Sequence, residues 1–158
     1  TLGKEGEAEL VKRLEDKFQV PFITAFGSVV TALRQIGVTN IAFGTPYSEQ
    51  NTLRCKNLLE QYGFNIVSFG NLPGVKNIYD ETPERAGQLM KQVDTSGADA
   101  IFVSGVGMPT IDALEKAEVN LGKPIISSIA ATMWNSLRIA GVQCPIQGYG
   151  SLLAGKYN

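Results

Sequence analysis

The sequence predicts an α/β fold with a parallel, doubly wound sheet of the Rossmann or flavodoxin type. Short apolar runs, typical of buried strands, alternate along the chain with segments of about 10 to 15 residues that have helical periodicity. Strands and helices that alternate in this way form βαβ units, which bring their strands into one parallel sheet. Glycines and prolines fall between the segments, where such a sheet needs its connections.

The predicted elements begin with a helix. Residues 5–18 are rich in charge, and apolar residues recur on one helical face at Leu10, Val11, Leu14 and Phe18. The other predicted elements are, in chain order, a strand at 20–24, a helix at 27–37, a strand at 39–44, a helix at 49–62, a strand at 64–69, a helix from residue 83, a strand at 99–104, a helix at 109–122, a strand at 123–127 and a helix at 131–141. The sheet is therefore expected to have five strands.

Capping residues support several of the helix boundaries. Ser48 and Thr82 precede helical segments and have side chains preferred at N-caps, and Pro83 occupies the first turn of the second of these helices. Gly37 and Gly63 follow helical segments, where glycine commonly ends a helix.

The chain contains an internal similarity. Segments 20–38 and 123–142 each hold a proline, an apolar strand, a hydroxyl residue (Thr24 or Ser127), a helix with a Leu-Arg pair and a closing Gly-Val. Two unrelated βα units would also look alike, but the common frame favours a duplicated half. In the second copy a strand and a glycine turn precede the repeated helix. The equivalent strand and turn of the first copy would fall before Thr1.

The duplication predicts two pseudo-symmetric lobes, of which the first is incomplete in this chain. Residues 1–37 are expected to be the remainder of the first lobe and residues 38–128 the second α/β lobe. Residues 129–158 are expected to form a helix and a tail that return to the first lobe.

Charge argues against one class of partner, and hydropathy argues against another. The formal net charge is −1 and no run of lysine or arginine follows the chain, so nucleic acid is not an expected partner. No apolar stretch approaches the roughly 20 residues that span a bilayer, so a membrane is not expected either. We expect a cytoplasmic protein, and the sequence leaves a homo-oligomer open.

The absence of histidine limits the available chemistry. It excludes a serine–histidine triad, a histidine general base and a histidine-ligated metal within these residues. The two cysteines, Cys55 and Cys144, do not have the spacing of a metal site. We therefore expect both thiols to be structural and expect no metal.

Two strand-end turns carry candidate ligand-binding groups. In "GTPYSEQN", residues 44–51, the Thr45 hydroxyl, the Tyr47 phenol and the free N–H groups of the following helix would face one point. Helix N-termini bind anions because their N–H groups are unpaired and carry partial positive charge. On this stretch alone, an ordinary turn with a capping Ser48 is the slightly favoured interpretation.

The second turn, "SGVGMPT", follows the predicted strand at 99–104. Gly105 and Gly107 allow a ligand to approach the backbone, Ser104 adds a hydroxyl, and the N–H groups at Val106 and Gly107 lie at the mouth of a helix. The turn lacks the lysine of a P-loop and the third glycine of a dinucleotide site. Because ligands of doubly wound sheets bind beyond the carboxyl ends of strands, both turns are expected to face one cleft.

Together these residues resemble the aspartate/glutamate racemase superfamily, in its arylmalonate decarboxylase and maleate isomerase branch. The similarity is carried by residues 38–69, by residues 99–142 and by the closing "GYGSLL", and it extends in order over nearly the whole chain. It implies two similar α/β lobes, an active site between them, and chemistry at the carbon beside a carboxylate without cofactor or metal.

The resemblance also assigns residues. Tyr47 matches the family's carboxylate-binding tyrosine, and the N–H groups of Val106 and Gly107 match its backbone donors. Gly105 stands where the family usually has its second-lobe cysteine, so that thiol is absent here. The first-lobe nucleophile would precede Thr1. Neither Cys55, inside a helix, nor Cys144, in the tail, is expected to replace it.

The favoured function is a cofactor-independent isomerase of the maleate cis–trans type, which binds a small carboxylate or dicarboxylate and uses one first-lobe thiol. An arylmalonate-type decarboxylase or an Asp/Glu-type racemase is the first alternative, although two-base racemisation needs a proton carrier on each face. A non-catalytic carboxylate-binding protein and a flavodoxin-like nucleotide-binding domain are the other hypotheses.

Overall fold

Four parallel strands and six helices make up the computed structural model, which describes residues 2–157. The strands are β1 (Asn40–Thr45), β2 (Asn65–Asn71), β3 (Ala100–Val103) and β4 (Ile125–Ser127). The helices are α1 (Gly3–Phe18), α2 (Ala25–Gln35), α3 (Glu49–Gln61), α4 (Pro83–Val93), α5 (Ile111–Leu121) and α6 (Ser128–Ile139). The predicted α/β class with a parallel sheet is confirmed.

The strand order β2-β1-β3-β4 creates a switch point in the sheet. From β1 the chain moves outward to β2, and it then crosses back past β1 to β3 and on to β4. Because crossovers between parallel strands are right-handed, this order puts α3 on one face and both α4 and α5 on the other. In agreement with this, α4 packs against α5. The direction reverses between β1 and β3, so their carboxyl ends flank the crevice where such sheets bind ligands.

The two central strands lie at the centre of the core. All of β3 and the residues of β1 from Ile41 to Thr45 are buried, which explains why both strands read as continuous apolar runs. The rings of Phe43 and Phe102, paired in register, stack with centroids 5.3 Å apart. Edge strand β2 instead alternates between exposed and half-buried side chains. This rigid centre fixes the positions of the turns that follow β1 and β3.

The strand predicted at 20–24 is wrong. Among residues 2–157 this segment pairs with no other strand, and none of its residues is fully buried. Its Phe22 N–H donates to Glu15 Oε1 at 3.1 Å, and the Thr24 hydroxyl accepts from the Gly27 N–H at 2.8 Å and caps α2. A short apolar run satisfies the strand pattern equally well when it leads into a helix, so the pattern alone does not separate the two.

The predicted N-caps are confirmed. The Ser48 hydroxyl accepts from the Asn51 N–H at 3.5 Å, and the Thr82 hydroxyl accepts from the Arg85 N–H at 3.4 Å. Pro83 begins α4, where its missing N–H costs no helical hydrogen bond.

The two helices of the internal similarity lie side by side. Thr24 caps α2 and Ser127 caps α6 in the same way, each accepting from the N–H three residues on. The helices pack together, and in their contact the buried Asn135 side-chain amide donates to Ser28 Oγ at 3.1 Å. The duplication, and the division of the chain into lobes, stay predictions.

Tyr62 links three helices and should make stability depend on alkaline pH. Its hydroxyl donates to Glu7 Oε2 at 2.7 Å, and Glu7 also receives the Thr24 hydroxyl. Burial, followed by the bond to Glu7, raises the pKa of Tyr62 to about 12. A raised tyrosine pKa means that the folded state favours the neutral phenol, so this stabilisation is complete below pH 10.0 and is lost as the pH rises towards 12.

The expected result is a fall in the free energy of unfolding between pH 10.0 and about 12 that is smaller in Tyr62→Phe, where only other groups with a raised pKa, such as Tyr47, still contribute. Urea melts across this range measure it, with Tyr149→Phe, an exposed tyrosine of the tail, as the matched control. Parallel pH profiles for wild type and Tyr62→Phe would contradict the assignment.

Glu118 anchors the tail to α5 and β4. Its carboxylate accepts from the Ile125 N–H at 2.8 Å, and from the Ser151 N–H and the Ser151 hydroxyl at 2.7 Å each. Glu118→Ala is expected to lower the free energy of unfolding by about 2 kcal/mol because these donors lose a charged acceptor. Glu115→Ala, an exposed position on the same helix, should change it by less than about 0.5 kcal/mol in the same denaturation experiment.

In the described part of the chain, no helix has the length and apolar character needed to cross a bilayer.

Candidate functional site

The two predicted turns meet at the switch point. The Ser104 N–H continues the ladder beyond β3 by donating to the Gly44 carbonyl at 2.9 Å. The Cα of Gly105 lies against Pro46, since a Cβ added to Gly105 would be 2.9 Å from Pro46 Cγ. The turns that follow β1 and β3 are therefore in direct contact, as the sequence predicted from their places at strand ends.

Thr45 supports its turn from the inside. It is fully buried, and its hydroxyl accepts from the Tyr47 N–H at 3.1 Å. Thr52 Oγ1 lies 2.6 Å from Thr45 Oγ1 and itself donates to the Ser48 carbonyl, so the Thr45 proton is directed at Thr52. Ligand contact by Thr45 stays a prediction. The observed hydrogen bonds show that the Thr45 hydroxyl holds the backbone around Tyr47 in place.

Tyr47 presents a protonated phenol beside the second turn. The side chain is half-buried, and burial raises the pKa of its phenol, while the nearby Ser104 hydroxyl partly offsets the rise. The phenol therefore keeps its proton at neutral pH and can donate it in a hydrogen bond. Tyr47 and Ser104 bring one hydroxyl from each turn to the same place.

The turn after β3, residues 104–110, is called the glycine turn below, and it supplies backbone donors. The Met108 N–H closes the turn on the Gly105 carbonyl at 3.0 Å. Within residues 2–157, neither the Val106 N–H nor the Gly107 N–H has a hydrogen-bond acceptor, and Val106 is 45% exposed. Successive free N–H groups in a turn form an anion-binding concavity. Together with the two hydroxyl groups, this turn is suited to a carboxylate.

Gly105 is required by the backbone and by the packing. Its φ is +107°, a conformation that L-residues rarely adopt, and an added Cβ would lie 2.9 Å from both Ile78 Cδ1 and Pro46 Cγ. The position where the family resemblance implies a cysteine thus has no space for a side chain in this conformation. The backbone conformation of the turn therefore requires glycine at position 105, and a residue with a thiol side chain does not fit there.

A third strand-end loop, which the sequence prediction did not include, completes the surroundings. Residues 72–82 follow β2 and contain a single 3₁₀ turn, Ile78–Asp80. Ile78 lies against Gly105, and the Tyr79 ring lies against Gly107. The loop could have been identified from the sequence, because the rule that ligands bind beyond the carboxyl ends of strands applies to β2 as well.

Both cysteines are free, and one of them lies near the site. Cys55 lines a cavity of about 550 Å³ together with Tyr47, Asn51 and Arg54. Burial raises the pKa of the Cys55 thiol, so it is the neutral and less nucleophilic form that predominates at neutral pH. Cys144 is exposed in the tail. The proximity of Cys55 to Tyr47 was not predicted, because the helical register alone did not show which face meets the turn.

Within residues 2–157 there is no group of three cysteine, aspartate or glutamate side chains arranged to hold a metal ion.

The sequence model of the arylmalonate decarboxylase family matches residues 2–153. The chain belongs to this family. The branch expected from the sequence is thereby confirmed, and the reason for considering a flavodoxin-like nucleotide-binding domain is removed.

Curated relatives include both enzymes of the branch. The maleate isomerase of Geobacillus stearothermophilus is 29% identical over 140 residues, which are 87% of this chain and 56% of the relative. The arylmalonate decarboxylase of Bordetella bronchiseptica is 26% identical, over 95% of this chain and 65% of the relative. The chain thus spans little more than half of the length of the maleate isomerase and about two thirds of the decarboxylase.

Solved structures share the fold. A cysteine-to-alanine variant of the maleate isomerase Iso from Pseudomonas putida S16, solved with maleate, is 25% identical and superposes with a TM-score of 0.90 over 99% of this chain and 66% of that one. Unliganded arylmalonate decarboxylase is 26% identical, with a TM-score of 0.88 over 96% of this chain and 68% of that one.

Proposed function

We propose that the protein containing this chain is a cofactor-independent isomerase of the maleate cis–trans type that acts on a small dicarboxylate. One observation carries the proposal. The turns after β1 and β3 converge at the switch point, where Tyr47, Ser104 and the free N–H groups of Val106 and Gly107 are the available hydrogen-bond donors. Family membership adds support, since the relatives include maleate isomerases.

The donors would bind one carboxylate and stabilise its reacting form. Two backbone N–H groups and two hydroxyls match the acceptor capacity of the carboxylate oxygens. When negative charge spreads onto those oxygens to give an enediolate, each preorganised donor can contribute about 3 kcal/mol. The binding role of Tyr47, Ser104, Val106 and Gly107 in this step is part of the proposal.

The reaction needs one thiolate. The thiolate adds to one carbon of the double bond, and the displaced electron pair moves onto the neighbouring carboxylate, which becomes an enediolate held by the donors. Rotation about the resulting single bond follows. Return of the electron pair re-forms the double bond in the trans geometry and expels the thiolate, so no proton or electron is consumed.

In this proposal the nucleophilic cysteine belongs to the first lobe and lies outside residues 1–158. Gly105 has no space for a second thiol, which favours a one-thiol reaction over two-base racemisation. A decarboxylase that protonates an enediolate from one side uses the same donors and is the second candidate, supported by the arylmalonate decarboxylase relative.

A non-catalytic carboxylate-binding protein remains the third candidate. It is favoured by one observation, that neither Cys55 nor Cys144 lies in the glycine turn. Binding without turnover would distinguish it from both enzymes.

Proton NMR of the full-length protein with maleate, and separately with phenylmalonate, tests the three candidates. Appearance of fumarate supports the isomerase, and loss of a carboxyl group from phenylmalonate supports the decarboxylase. If neither substrate changes, calorimetry with the same compounds separates a binding protein from one without a carboxylate site. Absence of both turnover and binding would overturn the proposed function.

A further inference from the structure

The loop of residues 72–82 lies over the glycine turn. It starts beside the end of β1, where the Leu72 N–H donates to the Thr45 carbonyl at 2.8 Å. A Cβ on Gly105 would lie 2.9 Å from Ile78 Cδ1, and one on Gly107 would lie 2.4 Å from Tyr79 Cε1. Two consecutive side chains of the loop thus cover the two glycines of the turn.

The loop is fastened at both ends by one guanidinium. Arg85 pairs through Nε with Glu81 Oε2 at 2.8 Å, and its Nη2 donates to the Pro73 carbonyl at 2.6 Å. Between these ends, Asn77 Oδ1 accepts from the Tyr79 N–H at 3.2 Å. Leu72, Val75 and Ile78 of the loop pack on the hydrophobic core, and together with these bonds they hold the loop backbone that carries Tyr79.

Tyr79 is 76% exposed, although its ring rests on Gly107. Core packing therefore does not explain an aromatic side chain at this position. The ring therefore lies on the turn that carries the free N–H groups of Val106 and Gly107. In the proposed arrangement, the carbon next to a carboxylate bound at this turn would meet the Tyr79 ring.

We propose that Tyr79 is a specificity-determining contact that selects a flat, unsaturated carbon skeleton next to the bound carboxylate. The inference rests on the proposed carboxylate site and adds the class of substrate that the site prefers. Planar sp² carbons pack closely on an aromatic ring, whereas a tetrahedral CH₂ group holds one hydrogen against the ring and separates the two surfaces. Fumarate and succinate, which differ only by this saturation, are the matched probes.

Calorimetry on the full-length protein at about pH 8, where both acids are fully ionised, tests the proposal. Wild type is expected to bind fumarate more tightly than succinate. Tyr79→Ala should weaken fumarate binding about three- to ten-fold and leave succinate within about two-fold. Tyr79→Phe should keep the wild-type ratio, because the ring and not the hydroxyl makes the contact. Tyr149→Ala, which removes another exposed tyrosine, should change neither affinity.

The possible results distinguish a failure of the role of Tyr79 from a failure of the proposed carboxylate site. Wild type that binds both ligands, with a ratio unchanged in Tyr79→Ala, would overturn the role of Tyr79 and leave the carboxylate site standing. Wild type that binds neither ligand would overturn the site and the inference with it. Equal circular dichroism spectra and melting temperatures confirm that the variants are folded, as expected for a side chain so exposed.

Discussion

Tyr47→Phe is expected to lower kcat/KM about 100-fold in the proposed reaction while leaving the fold intact. The substitution removes only the phenol oxygen, and the backbone bond from the Tyr47 N–H to Thr45 Oγ1 at 3.1 Å remains. Because burial raises the pKa of this phenol, the wild-type group is protonated at neutral pH and can donate to the developing enediolate. The loss should fall mainly on kcat, since the bond strengthens as charge develops.

Steady-state kinetics on the full-length protein, with the substrate identified by NMR, measures this effect. Tyr149→Phe removes a phenol oxygen from an exposed tyrosine in the tail and should retain wild-type rates. Near-wild-type kcat/KM in Tyr47→Phe would show that Tyr47 does not contact the reacting carboxylate. A rise in KM with kcat unchanged would instead show that it binds the substrate and the transition state equally well.

Gly105→Cys, which restores the residue type that the family resemblance places there, is expected to reduce the free energy of unfolding by about 3 kcal/mol. Two causes add. The backbone φ of +107° is strained for any L-residue, and the new Cβ would lie 2.9 Å from Ile78 Cδ1 and Pro46 Cγ. Ile78 ends in a flexible side chain that can move, but the Pro46 ring cannot turn away.

Urea denaturation of Gly105→Ala and Gly105→Cys checks this expectation, and both variants should lose similar stability because the Cβ causes the loss. Gly87→Ala is the matched control. Gly87 lies within α4 with a helical backbone and open space around its added Cβ, so alanine should stabilise the protein by about 0.5 to 1 kcal/mol. Wild-type stability in Gly105→Cys would mean that the turn can relax to admit a thiol.

The sequence was informative where local chemistry decides the structure. Strands β1 and β3 could be predicted because a strand buried on both faces is apolar without interruption. Ser48 and Thr82 could be identified as caps because an N-cap depends only on its own helix. The strand at 20–24 was wrong because a strand exists only with a partner, and its apolar pattern does not reveal one.

Within the site, the sequence could place the turns but not their hydrogen bonds. The strand-end rule brought Tyr47 and Ser104 together, since it depends on topology alone. The bond between Thr45 and Thr52, residues from a strand and a helix, depends on how those elements pack. The same is true of the contact between Tyr79 and Gly107, which joins loops distant in sequence.

The two donor turns grow from strands that are hydrogen-bonded neighbours, β1 and β3. Their separation is therefore set by the spacing of a β-ladder, about 4.8 Å, which side-chain substitution does not alter. The loop with Tyr79 is joined to this frame by Arg85 and by the apolar side chains Leu72, Val75 and Ile78, while the Tyr79 side chain itself is exposed. A protein built in this way can acquire new substrates by exchanging one surface segment while the proposed carboxylate site keeps its backbone frame.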